Sequence, residues 1–434
     1  MAWTARGRPL YPVLRDLALK ALSLLLERGS RLLLIVASAP VLGEAAFGVF
    51  VFASTVTAML ALAADLGLGV WTTRALARSD GAGERVAFAG LMLRAIATLP
   101  YALAVALVAW LTSQSDARLA TVLLGVAAAF GAFCDHFGAI FRGSSRFEEE
   151  ARLNAVRAIL TVGSGILALL LHPSLVTLCA ALAGASLGAF VFGLARVFRL
   201  HPRASAERRP LLDRVLARSA LGEAWPIWLA GLLSLVYFKT DTFFVRAFAG
   251  DAELGAYGAA YKLFEGAILL PVVVLAATFP RLARLSGDPP RQRPLERRIA
   301  AGLVAMGLVV AAGLYFARVP LVRVVFGAGF ERAADSLRFL ALGLPLVYVN
   351  FGLTHFLIAR DRERVNLWLA VMMLIVTVSL DAWLVPRGSG PGAAVATALS
   401  EIALTVGCLA ALLGLPRASH RPAPAASRRG RTSA

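Results

Sequence analysis

The stretch RVFRLHPRASAERRPLLDRVLAR, residues 196–218, divides the sequence almost at its midpoint and decides how the rest is read. Seven arginines, Arg196, Arg199, Arg203, Arg208, Arg209, Arg214 and Arg218, are offset there only by Glu207 and Asp213. Apolar runs long enough to cross a bilayer flank it on both sides. A short, strongly basic loop between apolar runs is retained on the cytoplasmic side of a membrane. The island therefore separates two halves of similar make-up and fixes their orientation.

Composition points the same way. With 59% hydrophobic residues and a mean hydropathy of +0.74, the 434 residues have too little polar surface to coat a soluble globule. The formal charge of +18 sits in short loops and forms no stripe on a soluble domain, which excludes nucleic acid as a partner. Cys134, Cys179 and Cys408 lie inside apolar runs without CxxC spacing. The histidines His136, His172, His201, His355 and His420 are scattered, so neither a metal site nor a cofactor is expected.

Working outward from the island, the hydropathy pattern predicts an all-α polytopic membrane protein of about twelve spans: 17–39, 45–65, 86–111, 119–141, 152–171, 174–195, 222–247, 254–280, 298–318, 333–359, 365–386 and 392–415. Residues 1–198 form an amino-terminal six-helix bundle, 199–218 a cytoplasmic linker, 219–415 a second six-helix bundle, and 416–434 a disordered basic tail. Met1 to Lys20, with Trp3, Tyr11 and several cations, reads as an interfacial anchor. Ala37-Ser38-Ala39 resembles a signal-peptidase site, but Arg28 and Arg31 interrupt the segment, and an uncleaved first helix is expected. Of the 44 Lys and Arg, 32 fall on the side of the basic island, both termini included, and 7 opposite. Arg157 is counted with the cytoplasmic set, and the longest opposite loop runs from Arg318 to Arg338. No room is left there for a catalytic domain, so an enzyme is not expected.

The halves echo one another. Phe47-Gly48 opens span 2 and Tyr257-Gly258 opens span 8, each following an acidic residue, Glu44 or Glu253. Such recurrence suits transporters built from two related bundles. Pro100, Pro271 and Pro345 fall inside spans 3, 8 and 10, where each removes a backbone donor.

Leu42-Gly43, Phe47-Gly48, Asp65-Leu-Gly67-Leu-Gly69, Thr73-Arg74, Gly255-Ala-Tyr257-Gly258, Phe326-Gly327 with Phe330, and Gly390-Pro-Gly392-Ala393-Ala394-Val-Ala-Thr397 occur in order along the twelve spans. Together they resemble the polysaccharide repeat-unit flippases, the Wzx-like branch of the MATE/MOP exporter superfamily. The resemblance implies two six-helix bundles in a V, alternating access, and export of an undecaprenyl-diphosphate-linked oligosaccharide across the bacterial inner membrane for surface polysaccharides such as O-antigen. It also implies glycosyltransferases and a polysaccharide polymerase as partners, beside membrane lipid. The alternatives are a cation-coupled drug antiporter of the same superfamily and a non-transporting scaffold for glycan-assembly enzymes.

Five cations, Arg28, Arg31, Arg94, Lys239 and Lys262, are counted within spans, those near the span ends being counted with the loops. Charge at that depth is costly and normally faces water, a substrate or a partner. Arg31, Lys239 and Lys262 lie at matching depth, roughly 12 Å below the outer ends of spans 1, 7 and 8. They are the expected substrate-binding ring for a diphosphate, with Arg94 and the deeper, rotated Arg28 as further members. The competing reading is local ion pairing, since Glu27–Arg31 is i,i+4 and Lys262–Glu265 is i,i+3. Asp65 with Arg74 reads as a cytoplasmic gate or a helix-end pair. Asp241 and Glu265, with Asp381 and Glu401 beside them, are candidates for gating or ion coupling.

Overall fold

The computed structural model describes residues 10–78, 83–200, 214–285, 288–360 and 362–413. Residues 1–9 of the expected amino-terminal anchor, the centre of the basic linker and the tail lie outside the described residues. Ten α-helices account for nearly all of the chain that is described: α1 Leu10–Ala63, α2 Leu68–Arg78, α3 Gly83–Leu111, α4 Ser115–Gly143, α5 Phe147–Leu171, α6 Leu175–Leu200, α7 Arg214–Arg284, α8 Pro289–Phe326, α9 Ala333–Ala359 and α10 Glu363–Leu413. In a bilayer every backbone donor and acceptor must be satisfied within the chain, and a helix does this for each segment alone.

Among the described residues nine helical segments are long and apolar enough to cross a membrane, so the protein is a multi-pass membrane protein. Three of them, in α1, α7 and α10, each join two crossings. The 52 residues of Trp228–Phe279 would extend about 78 Å against a hydrocarbon core of roughly 30 Å. Each long helix holds one residue off the helical backbone: Gly43 (φ 74°, ψ 168°) in α1, Gly250 (φ 83°, ψ −179°) in α7 and Ser389 (φ 49°, ψ −131°) in α10. The first two occupy a region of backbone space open to glycine alone. Division there gives twelve spans, with α1 supplying spans 1 and 2, α7 spans 7 and 8, and α10 spans 11 and 12.

The helices gather into two six-span bundles. In the first, α4 packs against α6, α3 and α1, and α5 against α1 and α6; in the second, α9 packs against α8, α10 and α7. The bundles meet chiefly through α1 and α7. One apolar core crosses that seam, where Phe47 of α1 stands edge-on to Phe330 at a centroid distance of 5.7 Å. A second core, built on Trp71, Phe137, Phe141 and Leu153, holds the basic side of the first bundle and takes in Ala220 and Ala224 at the start of α7.

Three details depart from the sequence reading. The amphipathic α2, after span 2, was expected as loop. It is short and carries only one apolar face, Leu68, Trp71 and Leu76. Helix α8 runs to Phe326, eight residues past the expected end of span 9. Arg318 and Arg323 thus ride on the helix, with Arg318 donating to the Tyr315 carbonyl and Arg323 paired with Glu331 at 2.8 Å; long cationic stems cover apolar surface while their heads reach water. Arg157, counted with a cytoplasmic loop, lies ten residues into α5.

Candidate substrate site and gate

Gly43 and Gly250 supply a common ruler. Arg31 and Lys239 precede them, and Lys262 follows Gly250, by eleven or twelve residues, so all three lie about 17 Å along their helices from the turns. The three are thus nearly equidistant along the chain from the two turns. Lys239 and Lys262 converge on one carboxylate, with Lys239 Nζ 2.5 Å from Glu265 Oε1 and Lys262 Nζ 2.7 Å from Glu265 Oε2. Lys239 also sits over the face of Tyr261, 4.3 Å from its centroid. Arg31 pairs with Glu27 at 3.2 Å and lies near enough to Lys262 and Asp135 for its charge to act on both.

The expected i,i+3 and i,i+4 pairs are thus both present. Arg94 and Lys239, for which the sequence offers no obvious partner, are paired as well, through contacts between different spans. Buried Arg94 holds Asp65 at 2.9 Å, so the partner of Asp65 is Arg94 and not Arg74, which stands exposed on α2. Asp65 also accepts from the backbone of Gly67 and Gly69. Gly67, at φ +76°, lets the chain leave span 2 against Ala224, whose carbonyl oxygen a Cβ would approach to 2.9 Å. The Asp-Leu-Gly-Leu-Gly motif is therefore a turn that seats the first bundle on the second. Thr73, beside Arg74, donates to the Ala139 carbonyl at 3.1 Å and ties α2 to α4. The side chain of Arg28 lies outside the described residues.

Sequence reasoning missed a further pair. Asp135 of α4 and Arg157 of α5 meet at 2.6 Å, and Asp135 feels Arg31 and Arg94 besides Arg157. The signal was present, because both residues stand seven or more positions inside apolar helices. The band thus holds five described cations (Arg31, Arg94, Arg157, Lys239, Lys262) and four anions (Glu27, Asp65, Asp135, Glu265). Cationic charge is in excess but largely neutralised from within.

At the turn-bearing face the bundles are locked together. A Cβ on Gly48 would collide with the Asp251 carbonyl, and one on Gly255 with that of Glu44, so spans 2 and 8 cross backbone to backbone. The sequence aligned Gly48 with Gly258; at the crossing its counterpart is Gly255, while Gly258 takes Val51. Over this crossing Arg332, between α8 and α9, bonds Glu44 of the first bundle through Nη2 and Glu253 of the second through Nη1 at 3.2 Å. Glu253 Oε1 accepts in addition from the Gly390 amide, beside the turn in α10.

The remaining acidic candidates are buried in the second bundle, where Asp241 lies near enough to Lys239 to feel its charge. Asp241 Oδ1 accepts from the Thr242 amide at 2.7 Å and Oδ2 from the Tyr257 hydroxyl. Glu401 accepts from Asn350 Nδ2 at 2.7 Å. Asp381 is fully buried, and neither of its oxygens has a hydrogen-bond partner among the described residues. A cavity of about 10 Å³, the volume of one water, lies among Tyr237, Asp241, Tyr261, Thr377, Ser400 and Glu401.

Residues 13–286 match the family model described as polysaccharide biosynthesis protein, and residues 226–383 match the MatE model. The chain is 24% identical over 371 residues to a protein of Haloferax volcanii named "Probable low-salt glycan biosynthesis flippase Agl15", covering 84% of this chain and 76% of that one. An inward-facing multidrug resistance MATE transporter of the MOP superfamily superposes with a TM-score of 0.74 at 16% identity, over 91% of this chain and 96% of its own. The lipid II flippase MurJ, in an inward closed conformation, gives 0.69 at 14% identity, over 90% and 87%. The chain belongs to the polysaccharide biosynthesis protein family and is built on the fold of the MATE/MOP transporters.

Proposed function

We propose that the protein is a flippase that moves an undecaprenyl-diphosphate-linked oligosaccharide across the bacterial inner membrane, with the basic loops and both termini in the cytoplasm. The observation that carries this reading is the convergence of Arg31, Lys239 and Lys262 at one depth along spans 1, 7 and 8, where the bundles face each other. Ammonium and guanidinium groups in that position suit a diphosphate, which offers several anionic oxygens to charge-assisted hydrogen bonds. The glycan follows the phosphates through the polar band while the polyprenyl chain stays in lipid. No covalent bond changes. The Haloferax relative named as a glycan biosynthesis flippase supports the substrate class.

The locked crossing of spans 2 and 8 is the gate on the outer side, and transport alternates between this state and one in which Arg332 has let go of one bundle. Export of two negative charges from a cell that is negative inside is favoured by roughly 2.3 kcal/mol per charge per 100 mV. The buried group of Asp241, Asp381 and Glu401 is placed to couple the cycle to a proton or small cation in addition. Substitution of Lys239 or Lys262 by Gln is expected to abolish export of the lipid-linked glycan at normal protein abundance, and Lys→Arg to keep part of it. Export at the wild-type level with both lysines neutralised would show that these residues are structural ion pairs.

A further inference from the structure

Glu265 is an odd residue to find in a site for an anion. It is a carboxylate placed where the substrate's charge has to go, and it engages both lysines at once, one oxygen on each. The other acidic residues of the band hold one described cation apiece at short range: Glu27 on Arg31 at 3.2 Å, Asp65 on Arg94 at 2.9 Å and Asp135 on Arg157 at 2.6 Å. Arg94 is only 5% exposed, so its pair is built in, whereas Glu265 keeps 35% of its side chain accessible. Glu265 is thus a more accessible carboxylate than Asp65, open to a group that would displace it.

We infer that Glu265 is an internal stand-in for the substrate's diphosphate: it bridges Lys239 and Lys262 while the site is empty, and the incoming diphosphate displaces it. The inference rests on the reading of the lysines given above. Three features carry it. Two non-bridging phosphate oxygens present the same paired acceptor pattern as a carboxylate, with more charge behind it, so they replace Glu265 on the lysines contact for contact. The cations do not collapse when the carboxylate leaves, because Lys239 stays on the face of Tyr261. Finally, Glu265 and Lys262 share one helix three residues apart, while Lys239 comes from the preceding span, so a rotamer change at Glu265 frees the lysine of span 7 without a movement of backbone.

The arrangement makes the site selective. A phospholipid headgroup with a single negative charge exchanges one charge for one and gains nothing over Glu265. A diphosphate brings additional charge and binds with net advantage. Rejection of the bulk lipid around the protein is thus obtained by an internal competitor, and selectivity arises as a difference between two affinities.

The test is titration calorimetry of the full-length protein in detergent, with inorganic pyrophosphate as the probe and sn-glycerol 3-phosphate methyl ester as a singly charged control. Glu265→Gln is expected to bind pyrophosphate about tenfold more tightly than the wild type, the size of one charge-assisted contact no longer competed for, and to lose discrimination against the singly charged ester. Glu265→Asp keeps the charge but is too short to bridge both lysines; it should fall between the two, and it serves if the Gln variant fails to insert. Lys239→Gln and Lys262→Gln should each weaken pyrophosphate binding. If the lysine variants weaken it while Gln and Asp at 265 leave it unchanged or weaker, the stand-in role is wrong and the lysine site stands. If the lysine variants bind as the wild type does, the site itself is misassigned.

Discussion

Replacement of Arg332 by Ala removes the one side chain that, among the described residues, holds carboxylates of both bundles across the outer seam. Glu44 and Glu253 are then left facing each other, with side chains 16% and 14% exposed, while Arg332 itself is 54% exposed. If two carboxylates gripped by one guanidinium are taken as about 6 Å apart, a repulsion of ~3 kcal/mol at an effective dielectric of about 20 is then no longer offset. Water around the exposed arginine reduces the net change to about 2 kcal/mol. A bias of that size moves the ratio of closed to open molecules by about 30-fold, enough to populate a state that is rare in the wild type. Spin labels on cysteines introduced at Ser113 and Gly388, both exposed and one in each bundle, report the separation in a background without the three native cysteines. Arg332→Ala should add a longer-distance population in pulsed dipolar spectra. Arg332→Lys, with one point charge for two carboxylates, should fall between. Identical distance distributions in all three proteins would refute the clamp and leave the Gly48–Gly255 crossing to hold the seam.

Arg94→Leu leaves Asp65 partly buried without its partner, a change worth roughly 3–5 kcal/mol for a buried pair, and should lower the melting temperature in detergent; Asp65→Asn added to it should restore part of the loss. An unchanged melting temperature for the single variant would mean that water replaces Arg94 at no cost. In intact spheroplasts a membrane-impermeant thiol reagent should label a cysteine at Ser113 and spare one at Ser205; labelling at 205 alone would invert the assigned orientation.

Much of this was legible in the sequence because a bilayer imposes a length and a composition on each crossing. Among the described residues each of the twelve expected spans lies almost wholly on helix, and Gly43 and Gly250 fall in the gaps left between spans 1 and 2 and between spans 7 and 8. The pairs Glu27–Arg31 and Lys262–Glu265 were readable because helix geometry fixes the neighbours three and four residues away. Lys239–Glu265, Arg94–Asp65 and Arg157–Asp135 were not, since each joins different spans and no local period encodes which faces meet. Arg157 is a different case: it falls inside span 5 as bounded at 152–171, and only its assignment to the neighbouring basic loop hid it, since the helix already begins at Phe147. Arg332 stood in the count of outer cations, but its two partners lie 288 and 79 residues away in the chain.

The single-residue turns at Gly43 and Gly250 have a practical consequence. Helix enters and leaves each turn directly, so this face has no slack at those points for a protease to cleave or for an antibody to grip. An epitope tag spliced in beside either glycine would push Glu44 or Glu253 out of reach of Arg332 and report on a damaged molecule. Reporter fusions should instead go into the stretch 199–218, which the sequence pattern reads as a polar, basic linker on the other side of the membrane.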